Sequence, residues 1–330
     1  MTEHDKWLSQ VVEDIIDPQR EIVDPHHHLW TRKDWNYELA ELWGDTGAGH
    51  NVVQTVFLEC GSSYLSTGPE HLYPVGETVY VADIAAASAQ DPDQATIAAI
   101  VGRADLAHDA LDDVLDAHEA AGQGLFRGIR HAGACEPHPE ALFIAGRAPA
   151  GLYADANFRQ GVARLGERGY TYDTWHYHHQ NADFCALAQA VPETTMVLDH
   201  FGTPLGVGVY ADQREAIFTQ WQKDMETIAA CPNVVAKLGG MAMPDNGFGW
   251  DKREMPPTSD EFVEAQARYY HHTIDCFGAD RCMFESNFPV DRLSISYPIL
   301  WNALKKIASH YSDAEQTAMF SGTARRIYRL

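Results

Sequence analysis

Short runs of apolar and β-branched residues alternate along this chain with longer stretches in which apolar residues recur at helical spacing. Eight of the short runs read as strands: EIVDPHHH, VVQTVFLEC, ATIAAIVGRA, LFRGIRHA, YTYDTWHYH, TTMVLDHFG, NVVAKLGGM and RCMFESNF. Several are almost continuously apolar at their start, the pattern of parallel strands covered on both faces. Helical spacing fills the intervals, from Thr78 to Ala89, Asp109 to Ala121, Phe158 to Arg168, Asp183 to Ala190, Glu215 to Ala230, Ser259 to Phe277 and Pro298 to Ser309. Ser312 and Glu315 have capping-box spacing before a last helix, and Gly122 and Gly169 stand where helices should stop. Eight strand-helix units predict a single (β/α)8 TIM barrel of class α/β spanning 1–330, with an N-terminal extension over about 1–20. The competitor, a doubly wound open sheet, lacks its signature, because no glycine-rich nucleotide fingerprint follows any strand. Two segments rich in glycine and proline, 44–76 and 239–258, are expected to be active-site loops.

Composition narrows the function. Lys and Arg total 24 against 47 Asp and Glu, a net charge of −23, which repels phosphate backbones and argues against nucleic-acid binding. No apolar run is long enough to cross a membrane, and the N-terminus has neither a basic nor an apolar leader. The six cysteines form no C-x-x-C pair and read as reduced thiols. A soluble cytoplasmic protein acting on a small molecule is expected, with a homo-oligomer as a further option.

The polar residues concentrate at the strand ends, where a barrel of this kind keeps its active site. His26, His28, Glu59, Arg130, His131, His176, His178, His200, Lys237, Glu285 and Asn287 all fall there. His26 and His28 are two apart on one strand, so both face the same side and His27 the other. Two imidazoles at a barrel mouth suit a divalent metal, or a substrate carboxylate or carbonyl. Arg130 offers a fork for a substrate carboxylate, or an ion pair with Glu59. Glu59 reads equally as a ligand or substrate-orienting carboxylate, and one of His176 and His178 is expected to reach the site. Lys237 reads as a substrate anchor, an electrophile or a partner of Glu59.

Taken together, D-x-H-x-H at Asp24 to His28, LDHFG at Leu198 to Gly202, KLGG at Lys237 to Gly240 and SNFP at Ser286 to Pro289 resemble the amidohydrolase superfamily. The closer resemblance is to its amidohydrolase-related (amidohydrolase 2) branch, which includes 2-pyrone-4,6-dicarboxylate lactonase and L-fuconolactonase. The motifs follow the strand order from first to eighth, so the likeness spans nearly the whole chain. It implies a distorted barrel and a hydrolase of a small cyclic ester or related carboxylated substrate, with His26, His28 and His200 in the family's histidine positions. Those three could hold a metal, zinc before manganese, and a metal-free site is the other reading; no organic cofactor is expected. The eighth-strand position, usually an Asp that serves as general base, is Asn287 here. An amide cannot accept that proton. Glu285, two residues earlier on the same side, is the first replacement and His178 the second. The loss of the Asp also raises the alternative of a metal-dependent decarboxylase or hydro-lyase on the same scaffold.

Overall fold

A computed structural model describes residues 2–32 and 35–330. Eight strands form one parallel sheet in sequence order: β1 (Glu21–His27), β2 (Asn51–Leu58), β3 (Thr96–Gly102), β4 (Phe126–Arg130), β5 (Thr171–Thr174), β6 (Met196–Leu198), β7 (Val234–Leu238) and β8 (Cys282–Phe284). The helices are α1 (Glu3–Leu8), α2 (Leu39–Thr46), α3 (Val75–Ser88), α4 (Leu111–Ala121), α5 (Ala156–Glu167), α6 (Asn181–Ala190), α7 (Arg214–Ala229), α8 (Ser259–Phe277), α9 (Tyr297–Ala308), α10 (Asp313–Thr317) and α11 (Thr323–Tyr328). The sheet closes as a barrel at one seam just beyond β8. There Asn287 N–H donates to the His26 carbonyl (3.0 Å) and His28 N–H to that of Phe288 (2.8 Å). Asp24 pins the same seam, accepting from Ser286 N–H (3.0 Å) and the Tyr297 hydroxyl (2.9 Å).

Period-two alternation divides the core into two layers. Val23, Val56, Val101, Val197, Val235 and Met283 point into the barrel. Their neighbours Ile22, Phe57, Ile100, Leu198, Ala236 and Phe284 point out against the helices. Tyr328 of α11 enters the inner layer from the strand-start end and closes the barrel floor. Two residues beyond four of these inner hydrophobes stands a polar one: Arg103 after Val101, Asp199 after Val197, Lys237 after Val235 and Glu285 after Met283, whereas β2 carries the inner Leu58 after Val56. β1 breaks this parity. A register shift between Asp24 and His27, around Pro25, turns His26 and His28 inward and leaves His27 outside. There His27 Nε2 meets Thr55 Oγ1 (3.0 Å) beside the Phe57 ring.

The expected loops need correction. The 44–76 segment contains β2 and most of its flanks, and residues 46–52 sit at the opposite, strand-start end beside Pro18 and Gln19. Only Glu59, Cys60 and Gly61 of that segment, and Met243 of 239–258, line the barrel mouth, and the connection after β4, residues 143–157, contributes the largest single share of its wall, because the chain crosses the mouth there on entering α5. Two short helices, α1 and α2, had no periodic signal, since each is too short for an apolar stripe to repeat. No helix among the described residues is long and apolar enough to cross a membrane.

Candidate active site

The inward polar residues meet at the strand-exit end. Glu285 is fully buried and its carboxyl reaches two imidazoles: Oε1 lies 2.7 Å from His200 Nδ1, and Oε2 lies 2.6 Å from His26 Nδ1. The first contact is a hydrogen bond. The second is not, because the carboxyl lies off the ring's donor direction, and both His26 Nδ1 and Glu285 Oε2 lack a partner among the described residues. His28 Nδ1–H donates to the Leu58 carbonyl (2.8 Å), which leaves Nε2 as a bare lone pair 3.3 Å from His26 Nε2. Arg130 Nη1 approaches the same His26 nitrogen at 3.3 Å.

Backbone and glycines make room for this cluster. His200 and Asn287 both lie in the left-handed region, at φ 54° and 56°. Of the two glycines in KLGG, Gly239 backs Glu285 and Gly240 backs His200. A Cβ on Gly239 would stand 2.4 Å from Glu285 Cγ, and one on Gly240 would stand 2.1 Å from His200 Nδ1. The sequence run therefore carries the floor on which the two reacting side chains rest.

Electrostatics keep the cluster poor in charge. Burial first, then the cations Lys237 and Arg130 and neighbouring imidazoles, hold His26 and His28 well below the usual histidine range. Burial likewise brings His200 down to about 3, with Asp199 opposing. Burial pushes the Glu285 carboxyl up to about 8, against the pull of Lys237. The imidazoles are thus neutral at neutral pH, each with a ring-nitrogen lone pair available to a metal or a hydrogen-bond donor.

His26, His200 and Glu285 present ligand atoms within 4.8 Å of one another. Two nitrogens and a carboxylate oxygen, close together and with buried His26 Nδ1 and Glu285 Oε2 lacking partners among the described residues, fit a divalent cation such as zinc. Of the expected ligands His26, His28 and His200, two join Glu285 in this group, and His28 stands beside it with Nε2 3.3 Å from His26 Nε2.

The other expected residues divide. Arg130 and Glu59 both line the cavity, but as an ion pair (Nε to Oε1, 2.9 Å) that commits most of the guanidinium. Asn287 lines it too, and donates its amide to Asp291 Oδ1 (2.8 Å). Lys237 does not reach the cavity. It is fully buried one layer below, between Asp173 Oδ2 (3.1 Å) and Asp199 Oδ1 (3.2 Å), so it anchors neither substrate nor Glu59. Burial lowers its pKa, yet Asp199, Asp173 and Glu285 together raise it, so the ammonium stays charged. Tyr328 donates to the same Asp173 from the barrel floor. His176 is held away from the cavity by Asn181 Oδ1 (3.0 Å) and the Tyr153 hydroxyl (3.2 Å). His178 accepts from Leu205 N–H (3.3 Å) and packs on Tyr210, outside the cavity. β5 ends at Thr174, and the chain leaves the barrel wall before either histidine can point inward.

The cavity above the cluster has a volume of about 1220 Å³, larger than the usual range for small-molecule pockets. Sequence reasoning passed over two residues that matter here. Asp199 precedes His200 and balances Lys237 and Arg130 (Oδ2 to Nη1, 3.5 Å). Arg103 follows the apolar run of β3 and lines the cavity; its spacing of two from Val101 was the available signal.

The family model described as amidohydrolase matches residues 23–330. L-fucono-1,5-lactonase of Burkholderia multivorans (strain ATCC 17616 / 249) is 28% identical over 327 residues, covering 93% of this chain and 96% of the relative. The crystal structure of an amidohydrolase from Burkholderia multivorans with bound zinc superimposes with a TM-score of 0.72 at 25% identity, over 94% of this chain and 99% of that one. A 2,6-dihydroxybenzoate decarboxylase from Rhizobium, 12% identical, shares the fold with a TM-score of 0.55 over 94% of this chain and 98% of its own.

Proposed function

The chain belongs to the amidohydrolase family, and from that premise we propose that it hydrolyses a small cyclic ester, a lactone, at the Glu285 cluster. The observation that carries this reading is the single buried carboxyl joined to His200 at 2.7 Å and standing 2.6 Å from His26, directly behind the His200 ring that lines a large cavity. The lactonase relative supports the choice of ester over amide.

The chemistry follows from the tautomers. With Nδ1 of His200 bonded to Glu285, Nε2 is the ring nitrogen left toward the cavity, an acceptor for the proton of an attacking water. In its ionised form, reached as pH rises through about 8, Glu285 accepts from His200 Nδ1–H, orients that ring and stabilises the imidazolium, as a buried carboxylate does for a catalytic histidine. Water adds to the ester carbonyl carbon and its proton passes to His200 Nε2. The ring C–O bond then breaks, and the same proton returns to the departing alkoxide, giving an open hydroxy acid. The Arg130 guanidinium, fixed by Glu59, places positive charge where negative charge develops on the carbonyl oxygen. A divalent metal held by His26, His200 and Glu285 would supply polarisation of that carbonyl and an acidified water when bound. Asn287 holds the turn after β8 through Asp291, and Glu285 takes over the carboxylate role two residues earlier.

The test is ring opening of five- and six-membered lactones, followed in a pH-stat by the acid released and confirmed by product analysis. Acid release from at least one lactone class supports the reading. Loss of carbon dioxide from hydroxybenzoates, with every lactone untouched, would replace it by a decarboxylase.

A further inference from the structure

The cavity is far larger than a small ring needs, and its unclaimed side-chain groups are mostly donors. Arg103 and Arg147 line it, and neither has a carboxylate within 4 Å among the described residues. Arg103 bonds only the Ala104 carbonyl. In a chain with 47 acidic and 24 basic residues, arginines left unpaired on one cavity wall stand out. The carboxylates on that wall are otherwise engaged: Asp105 accepts from Ala107 N–H (3.1 Å) and Asp155 caps α5 at Phe158 N–H (2.8 Å). Two indole donors add to the count. Trp30, 3% exposed, and Trp175 both line the cavity, and the buried Nε1 of each has no acceptor among the described residues. A buried donor without a partner keeps its full desolvation cost, which an acceptor brought by a ligand would recover.

Position gives these donors an address. Arg103 leaves β3 on the inward face, and the Arg147 segment follows β4. Glu285 and His200 lie just after β8 and just after β6, so the arginines occupy the far side of the barrel mouth. The charge of Arg103 reaches into this wall: after burial, it is the group that holds the neighbouring His131 down, at about 3.

Resting on the lactone-hydrolase reading, we infer that the substrate is held in two parts. Its ester carbonyl lies over His200, and an oxyanion group at its other end lies on Arg103 and Arg147, with Trp30 and Trp175 donating to further oxygens. The two arginines are binding and specificity residues; the bond-breaking groups stay on the opposite wall.

The test is calorimetric titration of the full-length protein with benzoate, benzenesulfonate, phenyl phosphate and neutral benzamide. At least one of the three anions should bind, benzamide should not, and the tightest anion identifies the oxyanion. Arg103→Gln and Arg147→Gln should each weaken that anion roughly ten- to a hundredfold. Arg103→Lys should restore part of the loss, with thermal unfolding confirming that each variant is folded. Equal binding of benzamide, no binding by any anion, or undiminished binding by both Gln variants overturns the inference. Turnover separates the two claims. If no lactone opens yet anion binding still needs Arg103 and Arg147, the hydrolase reading falls and the anion site stands. If 5-oxotetrahydrofuran-2-carboxylate and its carboxamide are opened equally well by native and Arg103→Gln protein, the anion site falls and the hydrolase reading stands.

Discussion

Substitution of Gly240 by alanine separates the role of the site floor from ordinary backbone strain. Gly240 has φ 69°, and a Cβ there would lie 2.1 Å from His200 Nδ1 and 2.4 Å from its Cγ. Ordinary contact begins at 3.4 Å, so His200 Nδ1, the atom bonded to Glu285 at 2.7 Å, must retreat by about 1.3 Å from the new Cβ. A displacement of about 1 Å at reacting groups costs on the order of a hundredfold in rate. Gly249 supplies the control. It has the same φ of 69°, and nothing lies within 4 Å of its Cβ position. Both variants carry the left-handed penalty of about 1–2 kcal/mol for an L residue, and only Gly240→Ala adds crowding worth about 1–3 kcal/mol. Urea denaturation and kcat/KM on the preferred lactone should therefore diverge. Gly249→Ala should lose a little stability and no activity, and Gly240→Ala should lose more stability and about a hundredfold or more in kcat/KM. Equal activity in the two variants would refute the placement of His200 as the reacting imidazole.

Lys237→Met should destabilise the fold by about 3 kcal/mol or more in urea denaturation, because Asp173 and Asp199 would be left buried without their cation; a loss below about 1 kcal/mol would show that the pair is dispensable. His178→Ala should leave kcat/KM within a few-fold of native, since the ring faces Tyr210 and Leu205 rather than the cavity; a large fall would return it to the list of bases. Burial holds His118 at about 4 against an ordinary 6.5, so the unfolded chain takes up its proton first as pH falls. Native stability should drop between about pH 6.5 and 4 by up to about 1.4 kcal/mol per unit from this group, and His118→Gln should flatten that slope; an unchanged slope would assign the loss to other groups.

Strand parity made much of this molecule legible. The apolar runs locate all eight strands, and the two longest helices, α8 and α7, lie within one residue of their expected bounds, while α3 begins three residues before its expected start. Glu285 emerged from its spacing of two from Asn287, and the structure places it at the centre of the cluster. Contacts that depend on which inward residue sits beside which were not legible. Lys237 could face Glu59, Asp173 or Asp199 on parity alone, and only the sheet order, which sets β7 beside β6 and β6 beside β5, selects Asp199 and Asp173 over Glu59. The Pro25 register shift reverses parity within β1, so the inward placement of His26 and His28 rested on chemistry rather than on their distance from Val23. His176 and His178 were misplaced for a related reason: β5 stops at Thr174, and alternation carried past the end of a strand has no physical basis. Arg147 lies on an irregular segment, where no period exists to read.

The most direct test of the account is the kcat/KM of Glu285→Gln on the lactone that the native enzyme opens fastest, with thermal unfolding to show the fold intact. The glutamine keeps the shape and loses the carboxylate that joins His200 and faces His26. A fall of at least about a hundredfold in a folded protein is the predicted result. A folded Glu285→Gln protein that retains turnover within a few-fold of native would contradict it, and would place the chemistry elsewhere in the cavity.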